Sequence, residues 1–402
     1  MQQAKIYLQK GRDEAVRRFH PWVFSGAIGR YDGDLADGIC VEVLDRHGNY
    51  IGMGHYHDGS IAVRLFSFGS IDGGRIVPDV DYWTGKLSRI LEVRRGIFAP
   101  GSAMGDTNCF RLVHGEGDGC SGLVIDMYNG VAVFQAHSIG MHRDRDVIVE
   151  ALQRVFGTEL KAIYDKSAET LPDKYGQTVQ NGFLFGHCDT PHAVQENGHT
   201  FLIDWVTGQK TGFFLDQRDN RALLARYASG KQVLNAFCYS GGFSVYALKA
   251  GAAQVHSVDV SQKAIDLTNR NVAANFGEIT THEAYAEDVM KYLKAHNQQY
   301  DVVVLDPPAY AKSLSAKHRA VQGYKRLNAE GLKRVAKGGI LFTFSCSQVV
   351  DRGLFYNTVV AAAIEAGRQV RVLHHLSQPA DHPVSLFHPE GGYLKGLVLW
   401  VE

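Results

Sequence analysis

The chain has 402 residues, 45% of them hydrophobic and 21% charged, and its 42 basic side chains are balanced by 42 acidic ones. This composition excludes a chain disordered throughout, and zero net charge excludes a uniformly basic nucleic-acid binder while leaving local patches open. No run of about 18 apolar residues predicts a membrane span. The opening MQQAKIYLQKGRDEAVRRFH lacks the apolar core of a secretory signal. Six cysteines without CxxC spacing suit neither a disulfide framework nor a zinc module. A reducing, cytoplasmic compartment is expected.

Residues 1–72 hold five β-rich runs, IYLQKG, WVFSGAIG, ICVEVLD, YIGMGHY and IAVRLFSF, separated by glycine turns. That spacing predicts a small barrel or sandwich. Residues 78–97 read as a helix, with Leu87, Ile90, Leu91 and Ile97 on one face. Within 73–195 a second unit follows: FRLVHGE, GLVIDMY and VAVFQAH as strands, 141–156 as a helix, then strands near 161–165 and 183–187. This is an α+β layer. From about residue 196 to 402 the apolar runs QVLNAFC, QVHSVDV, YDVVVLD and GILFTFS alternate with helical segments, and RQVRVLHHL and YLKGLVLWVE close the chain. Alternation of this kind predicts βαβ units around a mostly parallel sheet, an α/β domain.

Ligands of an open parallel sheet bind beyond the carboxyl ends of its strands. The first such strand leads into Tyr239-Ser240-Gly241-Gly242, and the next ends in Asp259, eighteen residues after Gly241. That spacing suits a carboxylate at the ribose of a nucleoside cofactor. A dinucleotide site is the competing reading, but this loop lacks the first and third glycines of GxGxxG. Asp288 follows the third strand and is either an adenine-side acceptor or a helix N-cap. Asp306-Pro307-Pro308 is a rigid turn directly after a buried strand, able to present a carboxylate to a planar base, with Tyr310 available to stack. Cys346 sits just past the next strand, where a thiolate could act as nucleophile.

Charge is segregated. Residues 1–30 hold Lys5, Lys10, Arg12, Arg17, Arg18 and Arg30 against Asp13 and Glu14; residues 308–338 hold eight basic side chains, among them Lys312, Lys325 and Arg326, against Glu330 alone. Two basic segments suit tracking of a phosphate backbone. A metal is not expected: His55-Tyr56-His57 and His374, His375, His382 and His388 match no helical or zinc-ribbon ligand spacing.

Taken together, RRFHPWVFSGAI, FRLVHGEGDGCSGLVIDMY, TGFFLDQRDNR, LNAFCYSGGFSVYALKAGA, VDVSQKA, LDPPAYAKS, FSCSQVV and DHPVSLFHPEGGYLKGLVL span nearly the whole chain. The sequence resembles PUA-containing, S-adenosylmethionine-dependent ribosomal RNA methyltransferases. It is most similar to the bacterial group acting on C5 of cytosine in 23S rRNA. The resemblance implies a PUA domain, a small β-β-α-β-β domain and a Rossmann-like methyltransferase domain with a seven-stranded sheet. It implies S-adenosylmethionine as cofactor, with Asn235, Phe237 and Gly241 in the cofactor loop. Asp259 would meet the ribose, and Asp288 the adenine. Asp306 and Pro307 would hold the base beside the cofactor, Gln217 and Arg218 would line the cofactor or base pocket, and Cys346 would be the nucleophile. Ribosomal RNA is the implied partner, with Arg17, Arg18, Lys312, Lys325 and Arg326 as candidate contacts; a homodimer is left open. Some relatives carry a second cysteine where this chain reads DPPAYA, so the base that takes the C5 proton stays unassigned. The alternatives are an RNA-binding protein with an accessory or inactive transferase domain, a methyltransferase acting on another RNA base, and a small-molecule methyltransferase.

Overall fold

The computed structural model describes residues 4–98, 106–311 and 313–402. Lys312 lies outside them. The chain divides into two compact units: one groups Met1–Asn197 with Ile203–Phe213 and Ala380–Gly391, the other Gly198–Leu202 with Phe214–Pro379 and Gly392–Glu402.

In the first unit, β1 (Ala4–Leu8), β2 (Trp22–Phe24), β3 (Ile28–Asp32), β4 (Cys40–Leu44), β5 (Tyr50–Tyr56) and β6 (Ile61–Phe68) form one sheet in the order β2-β6-β5-β4-β1-β3. The run WVFSGAIG is two strands, not one, because a 3-10 turn at Ser25–Ala27 breaks it. The two outermost strands are therefore joined by three residues. Four peptide steps span at most about 15 Å, whereas five flat inter-strand spacings need about 24 Å. The sheet must curl towards a barrel. Period-two alternation does the packing: Ala4, Ile6 and Leu8 point inward from β1 onto Val41, Val43, Val63 and Leu65.

A helix, α1 (Val80–Ile97), starts where Asp79 accepts the Tyr82 N–H at 3.0 Å. Its buried face is Trp83, Leu87, Ile90, Leu91 and Arg94. Ile97 is only half-buried; the last inward position is Arg94, whose guanidinium pairs with Asp118 and donates to the Arg111 carbonyl. Next come β7 (Cys109–His114), β8 (Leu123–Tyr128), β9 (Val131–Ala136), α2 (Arg145–Phe156), β10 (Ala162–Asp165) and β11 (Gly182–Gly186), with sheet order β11-β10-β9-β8-β7. Three strands precede the helix, so the implied β-β-α-β-β pattern is short by one. The extra strand is possible because Asn129 adopts a positive φ and Gly130 follows it, which lets β8 turn straight back into β9. The strand β12 (His192–Glu196) follows, while β13 (His199–Ile203) belongs to the second unit except for Ile203.

The second unit runs α3 (Arg218–Ala228), β14 (Gln232–Ala236), α4 (Gly242–Lys249), β15 (Gln254–Asp259), α5 (Gln262–Phe276), β16 (His282–Ala286), α6 (Val289–Ala295), β17 (Tyr300–Leu305), α7 (Lys317–Arg334), β18 (Val335–Ser345), α8 (Arg352–Ala366), β19 (Val370–Leu376) and β20 (Lys395–Val401). Its seven-stranded sheet has the order β16-β15-β14-β17-β18-β20-β19, parallel except for β20, which is antiparallel to both neighbours. Strands β14 and β17 are buried runs such as Val302–Leu305, as a sheet covered on both faces requires. The basic segment is helical only to Arg334; Val335 already pairs with Tyr300 in the sheet. Chain order reverses between β14 and β17, the switch point at whose carboxyl ends open sheets of this kind bind their ligands. Among the described residues no helix is long and apolar enough to cross a membrane.

Candidate active site

The loop from β14 to α4 is bent hard. Phe237 and Tyr239 hold φ values of 62° and 46°, and Gly241 holds 72°. Positive φ is costly for the first two. Gly241 and Gly242 are required by space as well: a Cβ on Gly241 would lie 2.7 Å from Thr268, and one on Gly242 2.9 Å from Arg221. Asp259 steadies the loop, accepting the Tyr239 N–H at 3.1 Å on one oxygen and the Ser261 N–H at 2.9 Å on the other. A carboxylate has about four acceptor sites, so both oxygens keep capacity for a diol. The half-buried Phe237 and Tyr239 flank this carboxylate's loop. Together these groups fit a nucleoside with a ribose, and they would hold it through Asp259 and the loop backbone.

Asn235 is the penultimate residue of β14. It is buried in β14 and donates to Ser244 Oγ at 2.8 Å, which bonds Ser257 Oγ at 2.7 Å, which in turn bonds His282 Nε2 at 2.8 Å. This chain ties β14, α4, β15 and β16 together beneath the loop. Asp288 is the N-cap of α6, accepting the Lys291 N–H at 2.9 Å, and it is exposed. Cys238 is buried against Thr268 under the loop.

Asp306 and Cys346 leave the ends of adjacent parallel strands, β17 and β18, which stay in register as far as Leu305 beside Thr343. Burial pushes the Asp306 carboxyl up to about 7, helped by the neighbouring Asp216, while a hydrogen bond from Gln217 and the charge of Arg221 pull the other way. Gln217 is fixed for this: its carbonyl accepts from Asn220 at 2.6 Å, which leaves its amide to donate. Burial also pushes the Cys346 thiol up to about 11, with Asp306 and Asp216 adding to the rise and Lys395 opposing it. These four ionisable groups therefore share one electrostatic environment. Lys395 is 4% exposed, and burial brings its ammonium down to about 8.

The backbone around Cys346 is clamped. Lys395 Nζ donates to the carbonyls of Ser347 at 2.6 Å and Val350 at 2.7 Å. Ser347 Oγ accepts the Ala311 N–H at 3.3 Å and bonds the Tyr324 hydroxyl at 3.0 Å. One ring face of Tyr310 is taken up by Tyr324, 4.6 Å away between centroids, and by the bare Gly323 backbone. Tyr310 thus braces the DPP turn on α7. Arg218 is fully buried at the start of α3. Sequence reasoning misses Asp216, Arg221 and Lys395 as site residues, although they stand in the stretches TGFFLDQRDNR and YLKGLVL. A lysine inside an apolar strand run is the one signal that points to any of them. Asp216 accepts from Tyr393 at 2.6 Å.

Of the basic candidates, Arg17 is bound to Asp13 at 2.6 Å and Asp45 at 2.8 Å, and Lys325 to Glu365 at 2.7 Å. Arg18 and Arg326 stand exposed. The segregation seen along the chain is partly cancelled in space by acids distant in sequence.

With this geometry, a family model described as S-adenosylmethionine-dependent methyltransferase matches residues 110–390, and one described as a PUA-like domain matches residues 6–68. The "Ribosomal RNA large subunit methyltransferase I" of Alteromonas mediterranea is 40% identical over 402 residues, covering 98% of both chains. Its Escherichia coli counterpart is 36% identical over 399 residues, again covering 98% of both. A methyltransferase crystallised with SAH is similar in fold, with a TM-score of 0.82 at 23% identity over 98% of this chain and 99% of the other. The fold and site are those of an S-adenosylmethionine-dependent methyltransferase with a PUA-like domain at its N-terminal end. Within that class, the chain belongs to the ribosomal RNA large subunit methyltransferase I family.

Proposed function

We propose that this enzyme methylates C5 of a cytosine in large-subunit ribosomal RNA, with Cys346 forming a transient bond to C6 of the base. The single observation that carries this reading is the shared electrostatic environment of Cys346 and Asp306 at the ends of two adjacent parallel strands.

C5 of cytosine is a poor nucleophile. Attack of the Cys346 thiolate on C6 pushes the ring electrons towards N3, and a proton on N3 completes an enamine that is nucleophilic at C5. A carboxyl held at about 7 can supply that proton near neutrality, so Asp306 would donate to N3 and take the proton back. The cofactor supplies an electrophilic methyl group on a sulfonium centre, whose charge vanishes on transfer. Loss of the C5 proton then returns electrons to the ring and expels Cys346 as thiolate. Gln217 orients Asp306, and Lys395 holds the Cys346 turn while its charge offsets the two nearby carboxylates.

RNA would be held partly by Arg18 and Arg326, which stand exposed and make no ion pair among the described residues. The exposed Phe24 and Tyr31 offer stacking surfaces. Mapping methylated nucleotides in ribosomal RNA from cells with and without this protein tests the assignment. Loss of one 5-methylcytosine is expected; loss of a methyl from another base atom, or no loss, would reject it.

A further inference from the structure

We propose that His20, His388 and Glu390 form a binding site for a divalent zinc-like cation in the first unit, which would tie the Ala380–Gly391 segment to the strand region around Trp22.

The three groups come from opposite ends of the chain, yet both segments belong to the same compact unit. One ligand atom from each lies within 4.8 Å of the other two. His388 Nε2 is 3.9 Å from Glu390 Oε2, and the His20 and His388 rings are 5.4 Å apart. His388 is 3% exposed, and neither ring nitrogen has a hydrogen-bond partner among the described residues. A buried imidazole with both nitrogens unmet is costly, and a cation at one of them answers that cost. Trp22 packs its ring on His388 at 4.4 Å and fixes the imidazole's orientation. His20 Nδ1 accepts the Trp22 N–H at 3.2 Å and lies 3.4 Å from the Trp22 carbonyl, so ligation through Nε2 requires the other tautomer, in which Nδ1 gives up the N–H and donates to the carbonyl. Two imidazoles and one carboxylate are a zinc-type donor set with a fourth position for water. Zinc bonds of about 2.0–2.2 Å require the ligand atoms to draw in by roughly 1 Å. Glu390, 58% exposed on its side chain, is free to swing.

A second cluster, Cys40, His55 and Asp144, brings its ligand atoms equally close but is built otherwise. His55 Nε2 already bonds Asp144 at 2.9 Å, and burial raises the Cys40 thiol to about 12. Gly140 presses on the His55 ring so closely that a Cβ there would stand 2.0 Å from it. This is a packed cluster, and it serves as the control.

The test is titration of the full chain, stripped with chelator, with Zn(II) by calorimetry and with Co(II) by absorption. One equivalent should bind, His388→Ala and Glu390→Gln should each weaken binding by roughly tenfold or more, and Cys40→Ser should leave it unchanged. The Co(II) form should show no thiolate charge-transfer band. Glu390 is at the surface, so Glu390→Gln keeps the fold even if His388→Ala does not. Absence of binding to the wild type, equal affinity in Glu390→Gln, or a thiolate band that disappears in Cys40→Ser would each overturn the proposal.

Discussion

Lys395 Nζ donates to the Ser347 carbonyl at 2.6 Å, one residue beyond the cysteine whose thiol it helps to ionise. Strand β20 runs antiparallel to β18, and Ser345 faces Lys395 directly in the ladder. The lysine therefore reaches forward over the strand end and holds the turn from inside. Hydrogen bonds from a charged group are worth about 1.5–3 kcal/mol each. Lys395→Met should lower the methyl-transfer rate by about 10- to 100-fold, with a lowered melting temperature. Lys395→Arg should not restore the rate, because a planar fork cannot occupy the site of a compact ammonium. Single-turnover kinetics would read this directly, and an unchanged rate in Lys395→Met would remove the clamp from the mechanism.

Cys346→Ser keeps the volume and removes the accessible anion. Methyl transfer should fall by several orders of magnitude while cofactor affinity stays near wild type. With 5-fluorocytosine in the RNA, the wild type should give a covalent adduct stable to denaturing electrophoresis, and Cys346→Ser none. An adduct that maps to another residue assigns the nucleophile elsewhere.

Asp306 titrates at about 7 and Cys346 at about 11. The reactive thiolate–acid pair carries the same number of protons as the thiol–carboxylate pair that dominates between those values. Therefore kcat/KM should rise to about pH 7, hold, and fall again above about 11. Asp216→Asn removes a like charge and should move the rising limb to lower pH. The stability effect has the opposite slope. An acid whose folded pKa is raised favours the fold most below its unfolded value near 4, and that contribution is lost as pH rises to about 7. Asp306→Asn should thus gain melting temperature relative to wild type as pH climbs from 4 to 8; a constant difference would show that Asp306 is not shifted.

Asp259 should carry cofactor affinity. Removing a charge-assisted bond to a buried diol costs about 1.5–3 kcal/mol, so Asp259→Ala should bind S-adenosylmethionine roughly ten- to hundred-fold more weakly by calorimetry. The same change frees the Tyr239 and Ser261 N–H groups, so hydrogen exchange at those two amides should accelerate. Unchanged affinity would sink the ribose assignment.

Arg18→Ala and Arg326→Ala should each lower the salt dependence of RNA binding by about one unit of slope for every phosphate the arginine had neutralised. Arg17→Ala and Lys325→Ala should do less, since each is already bound to a carboxylate. Filter binding over a salt series separates the pairs, and equal slopes for all four variants would erase the distinction.

Much of the transferase unit can be read from the chain because its signals are local. An apolar β-branched strand followed at once by a polar residue marks a carboxyl end, and a parallel sheet gathers such ends in one place whatever lies between them. That logic puts Asp259, Asp306 and Cys346 on a common rim. The helix α8 escapes because RGLFYNTVVAAAIEA is apolar on nearly all sides and shows no 3.6-residue stripe. WVFSGAIG reads as one strand because a 3-10 turn of small residues leaves no mark in hydrophobic alternation.

Pairings across a long stretch of chain are a different matter. Asn235 belongs to the loop motif by position, but its side chain joins a buried relay with Ser244, Ser257 and His282. Lys325 looks free in sequence because Glu365 is 40 residues away, and the sequence shows Arg17 its neighbour Asp13 but not Asp45, 28 residues on. Lys395 meets the cysteine turn only because β20 inserts antiparallel beside β18. His20 and His388 meet across most of the sequence. Which residues end the parallel strands of the transferase sheet follows from the order of amino acids alone, since backbone preference and side-chain periodicity act over a few residues. Which charges share a neighbourhood emerges only once the chain has folded, because Coulomb energy and desolvation depend on distance in space and on burial, and neither is a function of position along the chain.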